Sequence, residues 1–362
     1  MVVDAGADAT AQLSVAILGA SGYTGAELVR LLCRHPRVRL AALTADRKVG
    51  QTMGSVFPHL AILDLPDLVA IGDVPWAEID FVFCALPHGT TQEVLAGVMN
   101  GPHGQRIKIA DLSADFRLAD LGAYEQWYGK PHAAPDLQPE AVYGLTELHR
   151  DAIAKARLVA VPGCYPTGAQ LALVPLVEAG LIATDGIIID AKSGVSGAGR
   201  GPKEGSLHCE VSEGIHPYGI AGHRHCAEIE QGLSAAAGKP VLATFTPHLM
   251  PMNRGILHTI YVTLAPGQDA GGLRSHLAAR FGRDEPFVHV LPEGGGAPHT
   301  RHVRGSNHVL ISVHADRAPG RAILVVAEDN LVKGASGQAV QDMNVMCGFP
   351  ETMGLEQQAL FP

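Results

Sequence analysis

The chain lacks what a nucleic acid or a membrane would need. Its 362 residues carry 27 Lys and Arg against 36 Asp and Glu, a net charge of −9. There is no basic run, so a nucleic-acid or anionic-lipid partner is not expected. No uninterrupted apolar segment approaches the ~20 residues of a membrane-spanning helix. The six cysteines, Cys33, Cys84, Cys164, Cys209, Cys226 and Cys347, have no paired spacing, which argues against a disulfide framework and for reduced thiols in a cytoplasm-like compartment. The opening "MVVDAGADATAQL" has no Lys or Arg; it lacks the form of a signal or transit peptide, and residues 1–13 read as a frayed leader. With 47% hydrophobic and 17% charged residues, the length suits about two domains with ample core.

The first half alternates short apolar runs with amphipathic ones. "SVAILGA", "RLAALTA", "FVFCALP", "IKIADLSA" and "RLVAVPG" read as strands, with helices at "TGAELVRLLCRH" and "TTQEVLAGVM". Strands apolar on both faces and separated by helices predict a doubly wound α/β domain of Rossmann type. After Cys164 come longer strands, "GIIIDAKSG", "VLATFTPHLM", "GILHTIYVTLAP", "FVHVLP", "HVLISVHAD" and "RAILVVAED". They predict a second, α+β domain built on a mixed sheet with helices on one face. The closing helical segment "KGASGQAVQDMNVMCG" is expected to return to the first domain. That gives 1–163 with 331–362 as one unit and 164–330 as the other.

Gly19, Gly22 and Gly25 fall where the first strand turns into the first helix. There backbone N–H groups and the positive helix end can approach a pyrophosphate, with Ser21 and Thr24 as added donors. At the end of the second strand Asp46 suits a free ribose 2′-hydroxyl, whereas Arg47 and Lys48 suit a 2′-phosphate. "VPGCYPTG" places Cys164 on a Pro-Gly turn at a helix start, where the helix dipole is expected to favour the thiolate. An activated thiol needs a proton partner, and "GHRHCAEIE" offers His223 and His225, with Arg224 and Glu228 beside them. Zinc is a weaker reading: His208, Cys209, His216, His223, His225 and Cys226 crowd together without a regular ligand interval, and no metal is expected. A cysteine hydrolase would leave the glycine turn without purpose.

"GASGYTGAEL", "FPHL", "LPHG", "ADFR", "YGLTEL", "PGCYPT", "SGVSGAGR", "HRHCAEI", "RGIL", "GSN" and "DNLVKGASGQAVQ" together resemble the long form of the N-acetyl-γ-glutamyl-phosphate reductases. The likeness runs from about Val15 past Asn344. It implies an NADP-dependent reduction of an acyl phosphate to an aldehyde through a cysteine thioester, in arginine biosynthesis, by a homodimer or homotetramer. It implies Cys164 as nucleophile and His223 as acid/base, with His225 and Glu228 in support. Gly19, Ser21, Gly22, Tyr23, Thr24 and Gly25 would hold the cofactor, Ser193, Gly194 and Asn330 would approach its nicotinamide end, and Arg117 and Arg254 would hold phosphate or carboxylate. "TADRKVG" departs from the family's usual Thr followed by Ser or Arg, which leaves to Arg47 the reading of the 2′-phosphate. The same scaffold would suit an aminoadipyl, carrier-linked or aspartyl phosphate.

Overall fold

The computed structural model describes residues 12–362. Residues 1–11 of the expected leader lie outside the described residues, and its last residue, Leu13, belongs to a strand. Leu13 already opens the first strand, pairing with Val38 and donating its N–H to the Arg37 carbonyl at 2.8 Å.

In chain order the first unit comprises β1 (Leu13–Leu18), α1 (Tyr23–Leu32), β2 (Val38–Thr44), α2 (Met53–Val56), β3 (Leu68–Val69), β4 (Phe81–Cys84), α3 (Thr91–Met99), β5 (Lys108–Asp111), α4 (Leu121–Tyr128), β6 (Ala141–Tyr143), α5 (Thr146–Ile153) and β7 (Leu158–Ala160). All seven strands run parallel in the order β3-β2-β1-β4-β5-β7-β6. Both faces are covered, so β4 is buried at every position. Successive crossovers leave β1 in opposite directions, and ligands of such sheets bind at that switch point, beyond the carboxyl ends of β1 and β4.

The second unit opens with α6 (Cys164–Glu178), followed by β8 (Ile187–Gly194), α7 (His208–Val211), β9 (His216–Pro217), α8 (His225–Ala237), β10 (Ala243–Met250), β11 (Ile256–Thr263), α9 (Ala270–Arg280), β12 (Val288–Val290), β13 (Val309–Ala315) and β14 (Arg321–Glu328). Its sheet is mixed, in the order β12-β13-β14-β11-β8-β10-β9. Two pairs, β8 with β10 and β12 with β13, are parallel and the rest antiparallel. Strands β8, β10 and β11 alternate between core and open face, and side chains of α6, α8 and α9 fill the core side. Helix α6 is buried without a break from Tyr165 to Val177, as expected of a helix apolar all round.

A single π-helical turn, Val332–Ser336, leads into α10 (Gly337–Met346). Val332, Ala339, Val340, Met343 and Met346 share a core cluster with Val15, Ile17, Leu28 and Phe83, so the end of the chain completes the interior of the first unit. Fully buried Lys333 meets Glu147 Oε1 at 2.6 Å and Gln341 Oε1 at 2.8 Å. Removing either member of such a buried pair costs about 3–5 kcal/mol, because the other charge is stranded. On the other side Arg254 grips Glu27 of α1 with both terminal nitrogens, at 2.9 and 2.6 Å.

Candidate active site

The turn after β1 is shaped by two glycines. Gly19 has φ +86°, and a Cβ there would lie 2.6 Å from the Ala85 carbonyl at the end of β4; a Cβ on Gly25 would lie 2.5 Å from the Gly19 carbonyl. Gly22 differs. Its Cβ would meet nothing nearer than 3.5 Å, so packing does not demand glycine there. It is the N-cap of α1, with no side chain capping the helix and no acid in the first turn. Among the described residues the first N–H groups of α1 thus have no side-chain cap, which fits a diphosphate. Tyr23 and Thr24 form the first turn of that helix, and Ser21 offers its hydroxyl beside it. Asp46, Arg47 and Lys48 stand exposed on the turn after β2, without an ion pair among the described residues.

Cys164 is the first residue of α6 and lies in a cavity of about 350 Å³ with His88, Tyr128, Tyr165, Ser193, Gly197, Tyr218, His223, Arg224 and His225. The thiolate expected from the helix dipole is not the resting state. Burial, with the nearby Glu328 carboxyl second, pushes the Cys164 thiol up to about 12, against a smaller opposing pull from Arg117. A base is therefore required, and two neutral imidazoles are at hand. Burial and the Arg224 charge hold His223 at about 4, and burial, then His223, holds His225 well below the usual histidine value. The two rings meet edge to face at 4.7 Å. His223 Nδ1 accepts the His225 backbone N–H at 3.1 Å, so the neutral ring carries its proton on Nε2. His225 Nδ1 is buried and unpartnered.

Glu228 supports the turn rather than the proton. Its carboxylate accepts the Gly163 N–H at 2.7 Å and the Tyr143 hydroxyl at 2.7 Å, fixing the residue before Cys164. Behind the thiol, a Cβ on Gly334 of the π turn would lie 2.8 Å from the Cys164 Cβ. Two residues on, the Ser336 hydroxyl donates to the Thr24 carbonyl at 2.9 Å. One short turn thereby joins the glycine turn to the thiol.

On the opposite wall a Cβ on Gly197 would lie 3.3 Å from Ser193 Oγ and 3.7 Å from Asn330 Nδ2, which brings together Ser193, Asn330 and the SGVSGAGR loop. Asn330 Oδ1 accepts the Gly255 N–H at 2.8 Å. Gly194 packs against Asn253 and Arg254, 2.7 Å from where its Cβ would be.

Arg117 and Arg254 are both held by buried carboxylates. Arg117 is buried, donating to the Val161 and Leu112 carbonyls and lying 3.4 Å from Glu228; it braces the strand leading to Cys164. Arg254 is held by Glu27 and lies 3.6 Å from Asp329. Neither is a surface ion pair and neither lines the thiol cavity; each is drawn to a carboxylate that is itself almost fully buried. The cluster weighed for zinc does not assemble: His208, Cys209 and His216 are exposed on the α7–β9 stretch, and Cys226 faces the second core.

Sequence reasoning missed His88, Arg200 and the π turn. His88 follows β4 and accepts the Ala114 N–H on Nδ1 at 2.9 Å, leaving Nε2–H for the cavity; its place beyond a central strand was the available signal. Arg200 reaches across to the Ser21 carbonyl at 3.1 Å and the Val56 carbonyl at 3.1 Å, over the Phe57 ring. Nothing in one sequence reveals that crossing.

Residues 14–156 match the semialdehyde dehydrogenase NAD-binding domain and residues 164–330 the semialdehyde dehydrogenase dimerisation domain. The chain is 71% identical over 351 residues to N-acetyl-gamma-glutamyl-phosphate reductase of Rhodospirillum rubrum, covering 97% of this chain and 99% of that one. It is 58% identical to the probable chloroplastic N-acetyl-gamma-glutamyl-phosphate reductase of Oryza sativa subsp. japonica, covering 97% of this chain and 83% of that protein. Aspartate semialdehyde dehydrogenase II of Vibrio cholerae shares the fold, with a TM-score of 0.70 at 18% identity over 93% of this chain and 99% of that one. A thiol at a helix start, imidazoles beside it and a glycine turn at the switch point thus occur in a chain that belongs to the N-acetyl-γ-glutamyl-phosphate reductase family, within the semialdehyde dehydrogenases.

Proposed function

We propose that the protein reduces N-acetyl-γ-glutamyl phosphate to N-acetylglutamate 5-semialdehyde and phosphate with NADPH, in arginine biosynthesis. The observation that carries this reading is the Val332–Ser336 turn, which meets Cys164 through its middle residue, Gly334, and the glycine turn through its last, Ser336. Nucleophile and dinucleotide site therefore share one support.

Cys164 gives up its proton to an imidazole, which we assign to His223; to accept it, Nδ1 must release the His225 N–H. The thiolate attacks the acyl carbon, the C–O bond to phosphate breaks and a thioester remains. The Nε2–H groups of His88 and His223 suit the oxygen on which charge develops. When bound along Gly19–Gly25, Ser193, Gly194 and Asn330, the dinucleotide supplies the hydride. His223 returns its proton as the thiohemiacetal collapses, freeing the aldehyde and restoring the thiol. Arg47 reads the 2′-phosphate, since the turn after β2 holds a free guanidinium. We further propose a homodimer or homotetramer working in the cytoplasm, with the division of the chain at 163/164 and 330/331; among the described residues no helix is long and apolar enough to cross a membrane.

The test is the reverse assay of the purified protein with N-acetylglutamate semialdehyde, inorganic phosphate and NADP, beside aspartate semialdehyde. Phosphate-dependent reduction of NADP with the first aldehyde alone is expected, and Cys164→Ser abolishes it. Preference for NADP over NAD should be about ten- to a hundredfold and vanish in Arg47→Ala. Turnover without phosphate, or with aspartate semialdehyde only, overturns the assignment.

A further inference from the structure

An acyl phosphate of N-acetylglutamate brings two anionic groups, a phosphate and a carboxylate, into the thiol cavity. Arg117 and Arg254 are already paired with Glu228, Glu27 and Asp329. Among the residues lining the cavity, Arg224 alone carries a permanent positive charge. It has no carboxylate within ion-pair distance among the described residues. Its guanidinium is 5.0 Å from the centre of the Tyr128 ring, which also lines the cavity, so an aromatic face holds the cation in place with its N–H edge unspent. The Arg224 charge also bears on both His223 and His88, the two imidazoles of the same cavity. Arg224 is exposed, whereas Cys164 is half-buried, so the cation stands nearer the mouth than the thiol does.

Building on the function proposed above, we infer that Arg224 is the anion holder of the acyl substrate, pairing its planar guanidinium with an anionic group of the substrate and so fixing the carbonyl over Cys164. The shared chemistry is a pair of anionic oxygens, supplied by either the carboxylate or the phosphate. A planar fork of donors matches both. The bound dinucleotide is not involved, so its affinity is a control for folding.

The reverse assay separates the sources. If wild-type protein shows no phosphate-dependent reduction of NADP, the functional reading fails before Arg224 is reached. Given that turnover, Arg224→Ala should raise one KM by about ten- to a hundredfold, with Arg224→Lys in between and NADPH affinity unchanged. A rise confined to the aldehyde identifies the carboxylate as partner; a rise confined to phosphate identifies the phosphate. The second readout needs no turnover: N-acetylglutamate or inorganic phosphate alone should slow alkylation of Cys164 by iodoacetamide in the wild type, and not in Arg224→Ala. Should the alanine variant fail to fold, Arg224→Gln carries the same measurements. Unchanged KM values with a lowered kcat, and protection retained, would overturn the inference and reduce Arg224 to a residue that shapes the start of α8.

Discussion

Two imidazoles 4.7 Å apart line the cavity that holds Cys164, and their hydrogen bonds make them unequal. His223 is tied through Nδ1 to the start of α8, whereas His225 has an idle, buried Nδ1. With His223 as proton carrier, His223→Asn should lower kcat by about 10²- to 10⁴-fold, the usual weight of a general acid/base, and His225→Asn by less. Loss that is equal or greater at His225 would move the proton to that ring. The acid limb follows from the same environment. Burial lowers His223 to about 4, so the ring stays neutral and able to accept a proton until the pH approaches that value, and kcat/KM should hold level through pH 6.5, where an unperturbed histidine would already be half protonated. A profile that falls at 6.5 would show that His223 is not the group being titrated. Cys164 and the histidine pair were legible in the sequence because few residue types perform this chemistry. The raised thiol was not, because it depends on burial and on Glu328, more than 160 positions away along the chain.

At the scale of elements, long strands and the glycine turn were readable because period and punctuation are local. The two-residue β3 and the three-residue β6 were not, being edge strands too short to show a period. Helices α4, α5 and α9 escaped because their buried positions are few, and tertiary packing defines them. The π turn is the sharpest case: in sequence it is a stretch of an ordinary helix, yet it carries Gly334 against Cys164. Gly334→Ala sets a methyl 2.8 Å from the Cys164 Cβ and 3.4 Å from the Asp329 carbonyl, neither of which is the loose end of a long side chain. Overpacking of this kind costs about 1–3 kcal/mol, and relief comes by moving the thiol. We expect kcat/KM to fall by more than tenfold while dinucleotide affinity, read by fluorescence titration, stays within about threefold. Full activity in that variant would mean that the turn does not set the position of Cys164.

Across the whole molecule, α1 and the turn before β11 are clamped by Glu27 and Arg254. Burial alone would raise Glu27, but Arg254 and Arg30 outweigh it and hold the carboxyl at about 2, below the ordinary 4.5. A carboxyl lowered by folding adds stability in full above its unfolded value; that contribution shrinks as pH falls from about 4.5 toward 2. Glu27→Gln should therefore lower Tm at pH 7 and flatten the loss of Tm over that acid window, as followed by circular dichroism. Parallel curves for the two proteins would show that the clamp contributes nothing. The first unit's interior carries a different consequence. Its core closes over Val332, Val340 and Met343, which leave the ribosome only after the 167 residues from 164 to 330 have been made. At about 5–20 residues per second that is a wait of roughly 10 to 30 s, during which α1 and β1 have emerged but lack the helix that covers them. Synthesis thus imposes an order opposite to the one the sequence implies: the α6-led unit can close first, and the glycine turn is finished last.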